Sequence, residues 1–333
     1  MNQWKEILTR NELIEVLEDF FYRDIESWFN SSTYYCDNCI DEFKKQWPGI
    51  YSWTDDFQRI SIGLNDFYNG SRLKDSFEKE EFNNLFEELK CPNCGSKKFD
   101  NIWPYEMEFD VPINFESHLE EIALLAEKTP FLMLNHPFAK LVYDEIHELS
   151  KTINSSELKK NLYRARKYDD SKPYNNDDFL APDKKFILEG RYNHAGEQVL
   201  YLAENKSTCF YEMREPKDGI MLSKIEISKK IKILDLLDDQ FEENSIIQAI
   251  KLSSLLSSPA EGEGHHKPHY VFTRFISDVV ISAGFDAIRY PSVRIGNGKN
   301  IVVLNYEKIN NRIKILHFDY YNEEDKIRLI PAR

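Results

Sequence analysis

The sequence predicts an α+β chain in two domains, a helical one at residues 1–150 and a mixed α/β one at residues 151–333. Two periodicities and one shift in composition carry this reading. In the first part apolar residues recur at helical spacing: Leu13, Ile14, Leu17, Phe20, Phe21, Ile25 and Trp28, then Phe82, Leu85, Phe86 and Leu89. Further helices are expected near 116–128 and 137–151. The pattern lapses at Asn154-Ser155-Ser156, where the boundary is drawn. Beyond it lie short β-like runs: VLYLA (199–203), IMLSKIEI (220–227), IKILDL (231–236), AIRYP (287–291), IVVLNY (301–306) and IKILHF (314–318). Helical stretches near 244–256 and 268–283 interrupt them. The second has Pro268 near its start and Gly284 at its end, as helix termini prefer.

The composition changes at the same place. Residues 1–150 hold 14 Lys/Arg against 30 Asp/Glu, a balance of −16, and all five tryptophans; the rest holds 29 against 27, a balance of +2. A chain of 333 residues also suits two cores better than one. So acidic a first domain repels phosphate backbones, and direct nucleic-acid binding is not expected. No apolar run approaches the ~20 residues that span a bilayer. The N-terminal MNQWKEILTRNELIEVLEDFF carries acids among its apolar residues and reads as an amphipathic helix, not a secretory signal. The expectation is a cytoplasmic protein without membrane contact.

Four of the five cysteines form two knuckles, Cys36-Asp-Asn-Cys39 and Cys91-Pro-Asn-Cys94. Two-residue spacing lets a turn present both thiolates to one tetrahedral ion, and four thiolates close the shell. The 51 residues between the knuckles exceed a simple ribbon, so helices must lie within the insertion. The reading is structural zinc with no open position for catalysis; reduced, unliganded thiols are the alternative. A redox role is weaker, because one CxxC would suffice and no βαβ pattern surrounds either. Cys209 stands apart and reads as a small buried apolar residue.

The second part carries the chemistry. Asn161-Leu-Tyr-Arg164-Ala-Arg166 puts Arg164 and Arg166 on one face if extended. Next come GRYN at 190–193, Gly196, VLYLA with Tyr201, Glu212, and finally GFDAIRYPSVR at 284–294. Glu212 follows Thr208 by four residues, which reads as a helix start. In that order these motifs resemble the RES domain, a family named for its arginine, glutamate and serine that includes NAD-degrading bacterial toxins. The resemblance covers roughly 160–306. The acidic, cysteine-bearing region before it is similar to the HEPN-related domain found ahead of some RES domains.

The resemblance implies Arg164 as the RES arginine, Glu212 as the glutamate and Ser292 as the serine. It implies Arg191 as a second arginine of the site and Tyr201 as its tyrosine. Tyr192 stands where the family commonly has Trp or Phe and serves as an aromatic wall. Arg166, on the same face as Arg164, is the alternative register. A fold like the ADP-ribosyltransferases is implied, with NAD as substrate. So is a separately encoded antitoxin or regulatory partner; a homo-oligomer is compatible.

The residue types suit that substrate. Guanidinium forks grip a pyrophosphate, and a tyrosine ring can stack on nicotinamide. Breaking the nicotinamide–ribose bond develops positive charge on the ribose, which a carboxylate stabilises. Water or inorganic phosphate would accept the ribosyl group. Taken singly, each residue has a plainer reading: Glu212 as a first-turn acid, Arg191 as a surface ion-pair partner, Tyr201 as core, Ser292 as a turn residue.

Other signals are weaker. Glu261-Gly-Glu-Gly-His265-His266-Lys-Pro-His269 reads as a solvated loop into a proline-started helix, because Pro268 breaks metal-ligand spacing. Gly296-Asn297-Gly298 is a turn without the third glycine of a phosphate loop. HEPN-type RNA cleavage needs an arginine a few residues before a histidine, which His118, His136 and His147 lack. The rival reading from another class is a zinc-stabilised interaction protein that binds a nucleotide without cleaving it.

Overall fold

A computed structural model describes residues 5, 7–29, 34–46, 61–104, 109–158, 161–257 and 268–322. The loop bearing His265 and His266 lies outside them. The chain divides into two compact units, Met1–Glu108 and Phe109–Arg333. No described helix is long and apolar enough to cross a membrane.

The first unit is not purely helical. Helix α1 (Arg10–Phe29) buries the stripe Leu17, Phe21 and Ile25 at turn spacing. Helices α2 (Ile40–Gln46), α3 (Leu64–Gly70), α4 (Leu73–Ser76) and α5 (Lys79–Phe86) follow. Phe21 meets Phe67 and Phe86 edge-on, each at 5.1 Å, and Tyr34 at 5.6 Å. Between the helices sits a three-stranded antiparallel sheet, with β1 (Tyr34–Cys36) and β2 (Ile62–Gly63) flanking β3 (Asn101–Pro104). Strands of two to four residues are too short to show an alternating pattern, so the sequence reading missed them.

The second unit is built on a seven-stranded sheet. Its strands are β5 (Leu162–Lys167), β6 (Leu200–Ala203), β7 (Ile220–Ile227), β9 (Ile233–Asp235), β10 (Ala287–Pro291), β11 (Lys299–Val303) and β12 (Ile313–Tyr321). The order is β12-β7-β5-β6-β11-β10-β9, antiparallel except for the β10–β9 pair. A small side pair joins β4 (Ser156–Glu157) to β8 (Lys230–Ile231), so the expected IKILDL strand is two. β7 matches β12 over eight register pairs, whereas β5 and β6 are registered at one only, Tyr163 opposite Ala203. That seam opens a cleft in the middle of the sheet.

The two compact units part at 108, upstream of the boundary drawn from sequence near 150. The helices α6 (Phe115–Lys128) and α7 (Pro137–Thr152) are acidic outside, yet their apolar faces serve the second core. Phe115 and Phe138 both lie 6.0 Å from Phe272 of α10 (Pro268–Ser282). Glu145 accepts from Asn244, the N-cap of α9 (Ser245–Leu256). Charge followed the solvent face of these helices; packing decides which unit owns them. The remaining helices are α8 (Lys206–Glu212), capped by Asn205 accepting from Thr208 N at 2.7 Å, and α11 (Tyr306–Ile309).

Candidate functional site

A cavity of about 340 Å³ opens at the β5–β6 seam. Arg164 and Arg166 reach it from β5 and Tyr201 from β6. Tyr290 and Asn300 come from β10 and β11, Glu212 from α8 and Tyr270 from α10. Of the residues singled out from sequence, Arg164, Arg166, Arg191, Tyr201, Cys209 and Glu212 line it.

Glu212 is the last residue of α8, not near its start. A carboxylate at a helix C-terminus is disfavoured by the dipole, so donors must hold it. Ser292 Oγ and Asn300 Nδ2 both donate to Glu212 Oε1, each at 2.7 Å. Both donors are buried, Ser292 completely. They fix one carboxylate oxygen, Oε1, of a side chain that lines the cavity. Ser292 therefore acts behind Glu212 instead of lining the cavity. Its own position is set by Ser292 N donating to Gly298 O, where any Cβ at 298 would come within 2.8 Å of Ser292 Cβ.

The two arginines of β5 differ from most buried charges. Arg164 Nη1 makes a long contact of 3.4 Å to Tyr201 O, and its buried Nε has no partner among the described residues. Burial, with Arg166 beside it, pushes this guanidinium below its ordinary range. An unpaired buried cation of this kind is stabilised by an anion. Arg166 is anchored instead, donating to Asp178 O at 2.7 Å and Leu180 O at 3.5 Å. Arg191 lies over the Tyr290 ring at 5.3 Å. Burial works against its charge, but the Tyr290 and Glu212 neighbours outweigh that and raise it.

Aromatic rings wall the cleft. Tyr201 OH donates to Asn193 Oδ1 and accepts from Tyr192 N, both at 3.0 Å, tying the GRYN turn to β6. Gly190 permits this: a Cβ there would stand 2.1 Å from Asn193 Oδ1. Tyr192 is fully buried and packs 5.0 Å from Tyr290, so it backs the wall and does not line the cavity. Burial raises the Tyr201 and Tyr290 hydroxyls, which stay protonated. Burial likewise raises the Cys209 thiol, leaving it an inert wall residue. Asn300, Tyr270 and Tyr290 were not assigned roles from sequence. Asn300 sits at the edge of a β-run, where only the register of β11 shows that it faces Glu212.

Residues 161–320 match the family model of the RES domain. This part of the chain is a RES domain. Among solved structures the chain is similar to one from the M. tuberculosis MbcT–MbcA toxin–antitoxin complex. That match has 13% identity and a TM-score of 0.38, and covers 56% of this chain and 97% of the other. No curated protein matches the chain.

The first unit holds a second arrangement. Cys36, Cys39, Cys91 and Cys94 gather at one end of its sheet, with sulfur separations of 3.8 Å (Cys36–Cys39), 3.6 Å (Cys36–Cys94) and 3.8 Å (Cys39–Cys91). Four sulfurs about 2.3 Å from a tetrahedral zinc stand about 3.8 Å apart, so the set fits the ion. Asp37 Oδ2 accepts from the backbone N–H groups of Asp100 and Asn101 at 2.8 Å, and Gly95 turns the second knuckle at φ +70°. These contacts preorganise the thiolates.

His118, Glu121 and His136 form another cluster of ligand-type atoms. Its geometry is that of a helix junction. His136 Nδ1 accepts from Phe138 N at 3.2 Å, capping α7, so Nε2 keeps the proton it gives to Glu121 at 2.7 Å. A metal on Nε2 would displace that proton. His269 is similarly occupied, between Ser253 Oγ at 3.0 Å and Glu116 at 3.1 Å.

Proposed function

We propose that the RES domain is an NAD-consuming enzyme that breaks the nicotinamide–ribose bond, a toxin-like activity, and that the four-cysteine cluster of the first unit holds structural zinc. The observation carrying the first part is Glu212. Its carboxylate is fixed through one oxygen by two buried donors, at the rim of a cleft where Arg164 keeps a buried, partnerless Nε. In this reading Arg164 and Arg191 grip the pyrophosphate. Tyr201 and Tyr290 flank the nicotinamide ring, with Tyr270 beside them. Glu212 Oε2 faces the ribose, where it stabilises the positive charge that develops at C1′. The C1′–N bond breaks with both electrons passing to the ring nitrogen, which leaves as neutral nicotinamide. The oxygen of water or inorganic phosphate then bonds C1′ and gives its proton to solvent.

Release of nicotinamide from NAD by the purified chain tests this. Glu212→Gln keeps the shape and the donors' contact but removes the charge, and turnover should fall by about two to three orders of magnitude. Binding of NAD without release would instead make this a nucleotide-binding module. A Glu212→Gln protein with wild-type turnover would remove the carboxylate from the mechanism.

A further inference from the structure

The turn that carries Arg191 is held to α10 at three points. Thr273, buried on α10, places its hydroxyl 2.8 Å from Arg191 O and 3.1 Å from Tyr270 O. Arg274 Nη1 pairs with Glu189 at 2.7 Å, just before the turn. His194 Nε2 pairs with Asp278 at 3.1 Å, just after it. These residues lie outside the cavity. Among the described residues the Arg191 guanidinium rests on the Tyr290 ring, a contact that sets its height but not its register.

We propose that Glu189–Arg274, Arg191 O–Thr273 and His194–Asp278 form a clamp in which α10 positions Arg191 for its anionic ligand, with the His194–Asp278 pair making that positioning sensitive to pH. The inference rests on the reading that the cleft binds a dinucleotide. The groups facing His194 are Asp278 and Arg274 on α10 and Glu197 on its own loop. The hydrogen bond to Asp278 raises the imidazole above its ordinary value. The charged pair is therefore complete at acidic pH and is lost as pH rises through the raised value. Arg191 is held best on the acidic side, and substrate affinity falls toward alkaline pH.

The test uses the full chain with NAD for turnover and ADP-ribose for binding, across about pH 5.5 to 8.5. Because the pair is half exposed, wild-type KM should rise roughly two- to five-fold over that range, with kcat following a separate profile. Asp278→Asn and His194→Gln should hold KM near its high-pH value throughout and leave kcat unchanged. Thr273→Val should raise KM about tenfold at every pH while keeping the slope, since it removes a buried hydrogen bond and no titrating group. The clamp is overturned if Asp278→Asn keeps the wild-type KM profile, or if these variants lower kcat at unchanged KM. A wild-type chain that binds ADP-ribose but releases no nicotinamide would sink the catalytic reading alone. The same affinity ratios, read with ADP-ribose, would then decide the clamp. No binding by the wild type overturns both.

Discussion

Two buried charges, one in each unit, are handled in opposite ways. In the first, Asp24 is almost completely buried and both its oxygens are taken. Arg23 Nε and Arg72 Nε each donate to Oδ1 at 3.0 Å, Arg72 Nη2 stands 2.8 Å away, and Arg72 N donates to Oδ2 at 2.9 Å. In the second, Arg164 is enclosed with a partnerless Nε and no ion pair among the described residues. A satisfied buried charge fastens a fold, while an unsatisfied one is a cost retained for a ligand. The contrast teaches where to look for function: at the charge the protein has not neutralised itself.

The largest expected effect separates the units physically. Residues 109–333 should fold alone, whereas residues 151–333, which lack α6 and α7, should not. Those helices bury Phe115, Leu119, Ile122, Phe138, Val142 and Ile146. At about 1.5–3 kcal/mol each their burial exceeds or matches the ~5–15 kcal/mol that holds a domain together. Circular dichroism with urea titration reads the difference. A cooperative transition in the shorter fragment would restore the boundary near 150.

Next is the metal. The full chain should carry about one zinc, and Cys91→Ser/Cys94→Ser should carry none, lose the cooperative melting of the first unit and keep NAD turnover in the RES domain. Full zinc content in that variant would refute the site.

The smallest effects sharpen the contrast between Asp24 and Arg164. Asp24→Asn should cost the first unit about 1–3 kcal/mol of stability without altering turnover. Arg164→Met should weaken NAD binding by about 10- to 100-fold with little change in melting temperature, since the charge has no ion-pair partner among the described residues and gives up one long contact to Tyr201 O. Arg166→Ala, which frees the carbonyls of Asp178 and Leu180, should do the reverse and reduce stability more than binding. If Arg164→Met melts early and Arg166→Ala loses affinity, the roles of the two arginines exchange.

Much of the cleft was legible because its residues sit in motifs with a fixed order: Arg164 on an alternating run, Arg191 and Tyr201 around a glycine turn, Glu212 after β6. The illegible part depends on depth and direction. Tyr192 and Ser292 read as cavity residues, yet both point behind the wall, and one-dimensional spacing does not separate a wall from its backing. Glu212 read as a helix-start acid because Thr208 resembled a first-turn residue; Asn205 is the cap, which puts Glu212 at the other end. Asn300 became visible only through pairing with Ala203 across β11–β6. In the first unit the cysteine spacing announced itself, but its two- to four-residue strands carry no period.

The single register pair between β5 and β6 has a consequence for motion. Eight pairs bind β7 to β12, and six bind β5 to β7, so the sheet is well laced on one side of the seam and scarcely laced across it. Local opening follows the line of fewest hydrogen bonds. Amide hydrogens along β6 that face β5 should therefore exchange with solvent sooner than those of β7. A dinucleotide lying across the seam would act as the missing rungs, slowing that exchange and stiffening the sheet where its own backbone does not.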